Sequence, residues 1–182
     1  MKTWRVGDRT LVYGPRTLVM GILNVTPDSF SDGGRFLDRH AAVAQGLRMA
    51  EQGADIVDVG GESTRPGSDE VSLEEEIERT SPVVKQLTAE LDVPISIDTR
   101  KADVARAAID AGATIVNDVS GGRDPQMFEV VRDARAGLVL MHMLGEPSSM
   151  QTAPRYDDVV HEVREFLADR IGAAVASGVP RG

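Results

Sequence analysis

The sequence contains no cysteine among its 182 residues, which excludes disulfide bonds and thiolate metal sites. It also lacks any apolar run near the roughly 20 residues that a membrane-spanning helix needs. The first residues, Met1 to Arg5, are not followed by the apolar segment that marks a signal peptide. We therefore expect a cytoplasmic protein with no membrane partner.

An excess of positive charge is absent as well, since 20 Lys and Arg stand against 29 Asp and Glu, for a net charge of −9. Without a basic stripe on the chain, a nucleic acid is not an expected partner. The bulk charge would repel an anionic substrate, so local cations, either Mg²⁺ or arginines, would have to hold it. The length fits one ordinary domain with a substantial core.

The chain instead repeats an order of apolar strand, polar loop and amphipathic helix. A hairpin over residues 3–13, turning at Gly7 and Asp8, comes first. Five short apolar strands are predicted near residues 18–24, 55–59, 94–98, 114–119 and 138–143. The helices are predicted near residues 38–52, 72–90, 101–111, 125–134 and 156–176. Strands this uniformly apolar indicate a parallel sheet with both faces covered.

Two features favour a barrel over an open, doubly wound sheet. The first long strand is not followed by the glycine fingerprint that marks a dinucleotide fold. Every strand also ends in polar residues, and such residues converge on one mouth when parallel strands close into a barrel. They are Asn24, Asp58, Asp98, Asn117 with Asp118, and His142.

Two polar loops carry most of the chemical information. Residues 24–34 read Asn-Val-Thr-Pro-Asp-Ser-Phe-Ser-Asp-Gly-Gly and bring carboxylates, hydroxyls and an aromatic ring together directly after an apolar strand. Residues 58–67 read Asp-Val-Gly-Gly-Glu-Ser-Thr-Arg-Pro-Gly after the next strand. A buried parallel strand ending in such a loop is where α/β enzymes keep their sites, although a turn rich in turn-formers is the simpler alternative.

These two loops resemble the two signatures of the dihydropteroate synthases, the folate-pathway enzymes that sulfonamides inhibit. Shorter matches at residues 96–99, 117–119 and 141–143 follow in the family's order. With the strand pattern, the resemblance implies an α/β fold, a (β/α)₈ TIM barrel of which this chain supplies about the first five units. A full barrel needs about 250 residues, and the family's later motifs (an Asp-Pro-Gly strand, a Lys-bearing strand, a final Arg-x-His) are absent. We therefore expect a single pterin-binding domain over residues 1–182, incomplete at its C-terminus.

The resemblance implies a transferase of folate biosynthesis. It would condense 6-hydroxymethyl-7,8-dihydropterin diphosphate with p-aminobenzoate, giving dihydropteroate and diphosphate, with Mg²⁺ as cofactor and a homodimer as the assembly. Two alternatives remain open. A methyltetrahydrofolate–corrinoid methyltransferase on a similar barrel would read a pterin without needing diphosphate loops, and a truncated barrel would be non-catalytic. We expect the chain by itself to be inactive.

The resemblance also implies roles for residues at the strand ends. Asn24 would contact the Mg²⁺ that bridges the diphosphate, in keeping with the hard oxygen ligands that Mg²⁺ prefers. Asp98 would accept paired N–H bonds from the pterin, Asn117 would read its edge with a donor and an acceptor, and Met141 would line the pterin pocket.

Five loop residues complete the implied site. Thr64 would contact the diphosphate, and Arg65 would make bidentate contacts to phosphate or carboxylate. Pro66 and Phe30 would meet the aromatic second substrate, and Asp32 would hold the loops or the incoming amine. Asp32, Arg65 and Asp98 are the predicted catalytic residues.

Four polar strand-end residues admit a second interpretation. Asp98 is also placed to cap the helix predicted near residues 101–111, which follows it directly. Asp58 and Asp118 would either orient loop backbone or bind water near the metal. His142 would be a ligand or a structural residue, because methionines flank it on a strand that needs one apolar face.

Overall fold

The computed structural model describes residues 1–26, 34–63, 70–146, 149–151 and 153–181, with backbone alone for 34–38. An antiparallel pair, β1 (Lys2–Val6) and β2 (Arg9–Tyr13), precedes a five-stranded parallel sheet. The sheet contains β3 (Met20–Asn24), β4 (Ile56–Gly60), β5 (Ile95–Asp98), β6 (Ile115–Asp118) and β7 (Gly137–Leu140). The helices are α1 (Gly34–Glu51), α2 (Leu73–Glu90), α3 (Ala102–Asp110), α4 (Met127–Ala134) and α5 (Val159–Ala176). None of these described helices has the length and apolarity needed to cross a bilayer.

The sequence-based prediction of these elements is confirmed, with shifts at some ends. Helix α1 begins at Gly34 rather than near residue 38. Strand β7 ends at Leu140 rather than near residue 143, so Met141 and His142 follow the strand instead of lying in it. The predicted start of α2 is correct, because the Ser72 side chain accepts a hydrogen bond from the backbone N–H of Glu75 at 3.2 Å.

The strand order distinguishes between the two architectures that the sequence allowed. The five parallel strands pair in the order β3-β4-β5-β6-β7, so each strand lies beside its neighbour in sequence. A doubly wound sheet reverses its order at a switch point, whereas a barrel wall does not. The described sheet therefore has the order of five consecutive β/α units of a barrel.

The helices cover one face of the sheet, and the hairpin covers its amino-terminal end. Fully buried side chains of α2, including Val83, Val84 and Leu87, belong to one cluster with strand residues such as Val57. Val6 at the end of β1 forms a second cluster with Ile56 and Ile115, which begin β4 and β6. The hairpin does not cover the carboxyl ends of the strands, which is the edge where barrel enzymes bind their substrates.

Two helix-to-strand joints have the same backbone geometry. After α1, Gly53 has φ +99° and the N–H of Ala54 bonds the carbonyl of Met49 at 2.9 Å. After α3, Gly112 has φ +113° and the N–H of Ala113 bonds the carbonyl of Ala108 at 2.9 Å. This is the Schellman ending, which favours glycine because a Cβ strains a positive φ.

The two joints offer a matched pair of stability variants. A Cβ on Gly112 would lie 2.6 Å from the Cγ2 of Thr88, whereas a Cβ on Gly53 would have no atom within 4 Å. We expect Gly53→Ala to cost about 1–3 kcal/mol of unfolding free energy through backbone strain. Gly112→Ala should cost about 1–3 kcal/mol more, because overpacking adds to the strain. Urea unfolding of both variants measures this, and equal losses would contradict the overpacking.

Candidate active site

Strand register places four residues in one row at the carboxyl edge of the sheet. Asn24 pairs with Gly60, Gly60 with Asp98, and Asp98 with Asn117. A Cβ on Gly60 would lie 3.7 Å from the Asn24 Oδ1 and 3.7 Å from the Asp98 Oδ2. The missing side chain therefore leaves a gap, one strand wide, between an amide oxygen and a carboxylate.

Asp98 does not cap the helix that follows it. The N-cap of α3 is Lys101, whose N–H donates to the Thr99 hydroxyl at 3.2 Å, and the Ala102 N–H donates to Asp124 at 2.8 Å. Among the residues that the structure describes, none donates a hydrogen bond to the Asp98 carboxylate. The capping interpretation is therefore wrong, and within the described residues neither carboxylate oxygen is taken up by a hydrogen bond.

The surroundings of Asp98 make it a weak acid. Burial raises its pKa to about 7, and the negative charges of Asp58, Glu76, Asp118 and Glu62 raise it in the same direction. Near neutral pH this carboxyl therefore exists in both its protonated and its ionised form. A ligand that donates hydrogen bonds to it would stabilise the ionised form.

A hydrogen bond across the sheet orients Asn117. Its Nδ2 donates to the Asp58 Oδ2 at 3.0 Å, although the two residues lie on strands separated by β5. Because one N–H is used in this way, the amide is held in one orientation, and its carbonyl oxygen and second N–H are the groups with which Asn117 could bind a ligand. Asp58 is thus a partner of Asn117 rather than an orienter of loop backbone.

Asp58 is itself only partly satisfied. It is 3% exposed, and its Oδ1 has no hydrogen-bond partner in the described part of the chain. Ser96 pairs with Asp58 in the strand register, and its hydroxyl is also buried without a hydrogen-bond partner among the described residues. The hydroxyl and the Asp58 carboxylate are therefore neighbours that do not form a hydrogen bond with each other. Burial raises the pKa of the Asp58 carboxyl, and the nearby Ser96 and Asn117 oppose that rise. Unpaired buried polar atoms are rare, so this part of the sheet has capacity for a polar ligand or water.

Asp118 holds the loop that follows β6. One of its oxygens accepts hydrogen bonds from the N–H and the hydroxyl of Ser120, both at 2.7 Å. The other accepts from the N–H of Gly122 at 2.8 Å. These bonds show that Asp118 orients loop backbone, the first of the two roles considered for it.

His142 packs against aromatic rings. Its ring stands edge-on to Phe166 with centroids 4.9 Å apart, and Tyr156 lies at 5.9 Å. The contact with Phe166 of α5 favours the structural interpretation. Met141 is half-buried next to it and donates its N–H to the carbonyl of Asp118 at 3.2 Å. Its predicted place in a pterin pocket stays a prediction.

The remaining predicted site residues lie outside the described residues. They are Phe30, Asp32, Thr64, Arg65 and Pro66. Within the described part, no three His, Cys, Asp or Glu side chains are grouped so that they could hold a metal ion. Any metal near Asn24 would therefore draw few ligands from the residues described.

Comparison with known proteins identifies the fold and its family. Residues 20–182 match the family described as pterin binding enzyme. The chain belongs to the pterin binding enzyme family. It is 49% identical over 175 residues to the dihydropteroate synthase of Synechocystis sp., covering 96% of this chain and 61% of that protein. It is 54% identical over 166 residues to the dihydropteroate synthase of Mycobacterium leprae, covering 90% and 58%.

Solved structures agree with this family assignment. The dihydropteroate synthase of Xanthomonas albilineans with 4-aminobenzoic acid superposes with a TM-score of 0.89 at 50% identity, over 98% of this chain and 63% of that one. The Yersinia pestis enzyme with a sulfonamide drug complex gives a TM-score of 0.90 at 42% identity, over 98% and 65%. The family member described here spans about three-fifths of the length of these relatives. The predicted resemblance and the partial TIM barrel are both confirmed.

Sequence reasoning missed a charged cluster beside the site. It joins Glu62, Glu76 and Lys101, and Glu76 is fully buried. The available signal was weak: Glu62 lies within the second loop and Lys101 directly follows the Asp98 strand, but Glu76 looks like an ordinary acidic residue in the first turn of a helix.

Proposed function

We propose that the complete barrel, meaning a polypeptide that contains this chain and the remaining β/α units, is a dihydropteroate synthase. The observation that carries this proposal is the pair of Asp98 and Asn117 in one row of the sheet. One is a half-buried carboxylate to which no described residue donates a hydrogen bond, and the other is an amide whose orientation Asp58 sets.

This pair suits the hydrogen-bonding edge of a pterin. A pterin presents adjacent N–H donors, which a carboxylate accepts in pairs, and a ring edge with both donor and acceptor, which an amide can read. The proposal is supported by the relatives of known name, including the Xanthomonas albilineans enzyme in complex with 7,8-dihydropteroate. We further propose, on the resemblance alone, a cytoplasmic location and a homodimer.

The residues near Asn24 fit a magnesium ion held mainly by the substrate. Asn24 is exposed at the end of β3, and its Oδ1 borders the gap left by Gly60. Mg²⁺ usually takes one or two protein oxygens and fills its other positions with water and phosphate oxygens. We propose that Asn24 supplies such an oxygen. A cation held there would offset the negative charge that grows on the departing diphosphate.

The proposed reaction needs positioning more than proton transfer. The bond between the pterin methylene carbon and diphosphate breaks, the amine nitrogen of p-aminobenzoate bonds to that carbon, and the amine loses a proton to solvent. Asp98 and Asn117 would hold the ring while positive charge spreads over it, and the Asp98 carboxylate would stabilise that charge. Five loop residues would contact the diphosphate and the second substrate, namely Thr64, Arg65, Pro66, Phe30 and Asp32.

Release of diphosphate tests the proposal directly. The complete barrel, given the pterin diphosphate, p-aminobenzoate and Mg²⁺, should form dihydropteroate and release diphosphate in equal amounts. Pterin binding without diphosphate release would favour the corrinoid methyltransferase. A polypeptide of residues 1–182 should be inactive in the same assay, because its described sheet has five parallel strands where a closed barrel has eight.

Pterin affinity should depend on pH through Asp98. The ionised carboxylate accepts the two N–H bonds, and its pKa of about 7 means that it protonates as the pH falls below neutrality. We therefore expect affinity for a pterin without diphosphate to fall by about tenfold per pH unit below pH 7 and to level off above about pH 8. Calorimetric titration between pH 5.5 and 8.5 measures this. An affinity that does not change over this range would show that the ring does not bind this carboxylate.

A further inference from the structure

Both backbone groups of Val71 are held by charged side chains. Its N–H donates to the Glu62 Oε1 at 3.2 Å, and its carbonyl accepts from the Lys101 Nζ at 2.7 Å. The Lys101 Nζ also lies 3.3 Å from the Glu62 Oε2. Glu62, two residues after the end of β4, is therefore joined to Val71, two residues before the start of α2. We call Glu62, Val71 and Lys101, with Glu76, the loop-base cluster.

Glu76 anchors this cluster inside the protein. Its side chain is fully buried, its Oε2 lies 2.7 Å from the Lys101 Nζ, and its Oε1 accepts the Thr99 hydroxyl at 2.7 Å. A buried ion pair is a poor source of stability, since apolar residues of the same volume often serve as well or better. What the pair does provide is a fixed position for Lys101 between α2 and the end of β5.

The surroundings allow the cluster little freedom. A Cβ on Gly61 would lie 2.6 Å from the Thr80 Cγ2 and 3.1 Å from the Glu76 Cγ, so the chain leaving β4 is pressed against α2. Arg79 donates to the carbonyl of Gly61 at 3.0 Å. Arg100 lies 3.3 Å from the Glu62 Oε2 and 2.8 Å from the Glu70 Oε1, so a second cation joins the same two ends.

We propose that Lys101 is a positioning residue for the second substrate loop. Together with Glu62 and Glu76, it fixes the two ends of the segment that connects β4 to α2. Lys101 itself lies three residues after Asp98 in the sequence. The connecting segment carries Thr64, Arg65 and Pro66, which the proposed function assigns to diphosphate and p-aminobenzoate, so the inference rests on that function. The pterin ring is held instead by Asp98 and Asn117. The cluster acts on that pair only through the charges of Glu62 and Glu76, which help to raise the pKa of Asp98.

The test separates the two substrates in the complete barrel. In Lys101→Met we expect the KM for p-aminobenzoate to rise about ten- to a hundredfold. A displacement of about 1 Å in the residues that position a substrate can cost that much. Measured at about pH 8.5, above the Asp98 pKa of about 7, the Kd for a pterin without diphosphate should stay within about twofold of the wild type. Arg106→Met is the matched control, since it removes a cation of the same helix whose ion pair with Asp103 is exposed. It should change neither constant.

A second variant covers the outcome in which Lys101→Met does not fold. Glu62→Gln keeps the volume and an acceptor for the Val71 N–H but loses the charge facing Lys101 and Arg100, and it should raise the same KM with a smaller loss of thermal stability. Lys101→Arg should recover most of the affinity for p-aminobenzoate. Equal losses for both substrates, or unchanged constants in both Lys101→Met and Glu62→Gln, would overturn the positioning role. A wild-type barrel that releases no diphosphate would instead overturn the proposed function.

Discussion

Asp98→Asn in the complete barrel is expected to lower pterin affinity by about thirty- to a thousandfold. The carboxylate can accept two N–H bonds, whereas an amide offers one acceptor and one mismatched donor. Losing a charge-assisted bond and leaving a donor unpaired costs about 2–4 kcal/mol, which gives that range in Kd. Calorimetric titration with a pterin lacking diphosphate measures it.

The same variant should change stability in the opposite direction. The pKa of Asp98 is about 7 in the folded chain against an ordinary 3.8, so the folded state binds the proton more tightly than the unfolded state. Its contribution to stability is therefore fully present below about pH 4 and is lost as the pH rises through 7. A shift of this size corresponds to about 4 kcal/mol. Asp98→Asn should be more stable than the wild type at pH 8, with the advantage shrinking toward pH 4.

Both results are needed to assign Asp98. Urea unfolding at pH 4 and pH 8, together with the pterin titration, distinguishes a ligand-binding carboxylate from a structural one. A lower unfolding free energy at both pH values with unchanged pterin affinity would return Asp98 to a structural role. Asp124→Asn provides the control, because Asp124 does accept a backbone N–H at the start of α3, and it should affect stability and not affinity.

Asn24→Ala is expected to weaken magnesium-dependent binding of the pterin diphosphate by at least about tenfold. The substitution removes a hard oxygen that Mg²⁺ would use. A hydrogen bond to a charged group contributes about 1.5–3 kcal/mol, and we take the lost metal contact to be at least at the lower end of that range. Affinity for a pterin without diphosphate should not change. Asn24 is exposed at the end of β3, so the fold should tolerate the change.

Two comparisons make the Asn24 result decisive. Asn24→Asp replaces the amide oxygen with a carboxylate, and it should retain magnesium-dependent binding. Titrations with and without Mg²⁺ then report the metal separately from the phosphate contacts. If Asn24→Ala weakened both pterin ligands equally, Asn24 would support the fold rather than the metal.

The secondary structure and the family could be predicted from sequence because their signals are local. Each strand is a short apolar run, each helix joint at Gly53 and Gly112 needs a positive φ, and Ser72 begins a helix with a capping pattern. Those features follow from neighbouring residues alone. The polar residues at the strand ends also indicated which edge of the sheet bears the site, since parallel strands present their carboxyl ends together.

The partners of the charged side chains depended on contacts between distant residues. Sequence left Asp98 as a ligand or a helix cap, and only the folded chain showed Thr99 and Asp124 satisfying the start of α3. Asn117 meets Asp58 across 59 positions, and Lys101 meets Glu76 across 25. The sequence by itself determined the strands, the helices, the family and the edge that carries the site. Which carboxylates are paired and which are free was decided only by tertiary structure, because burial and strand register bring together charges that no local pattern relates.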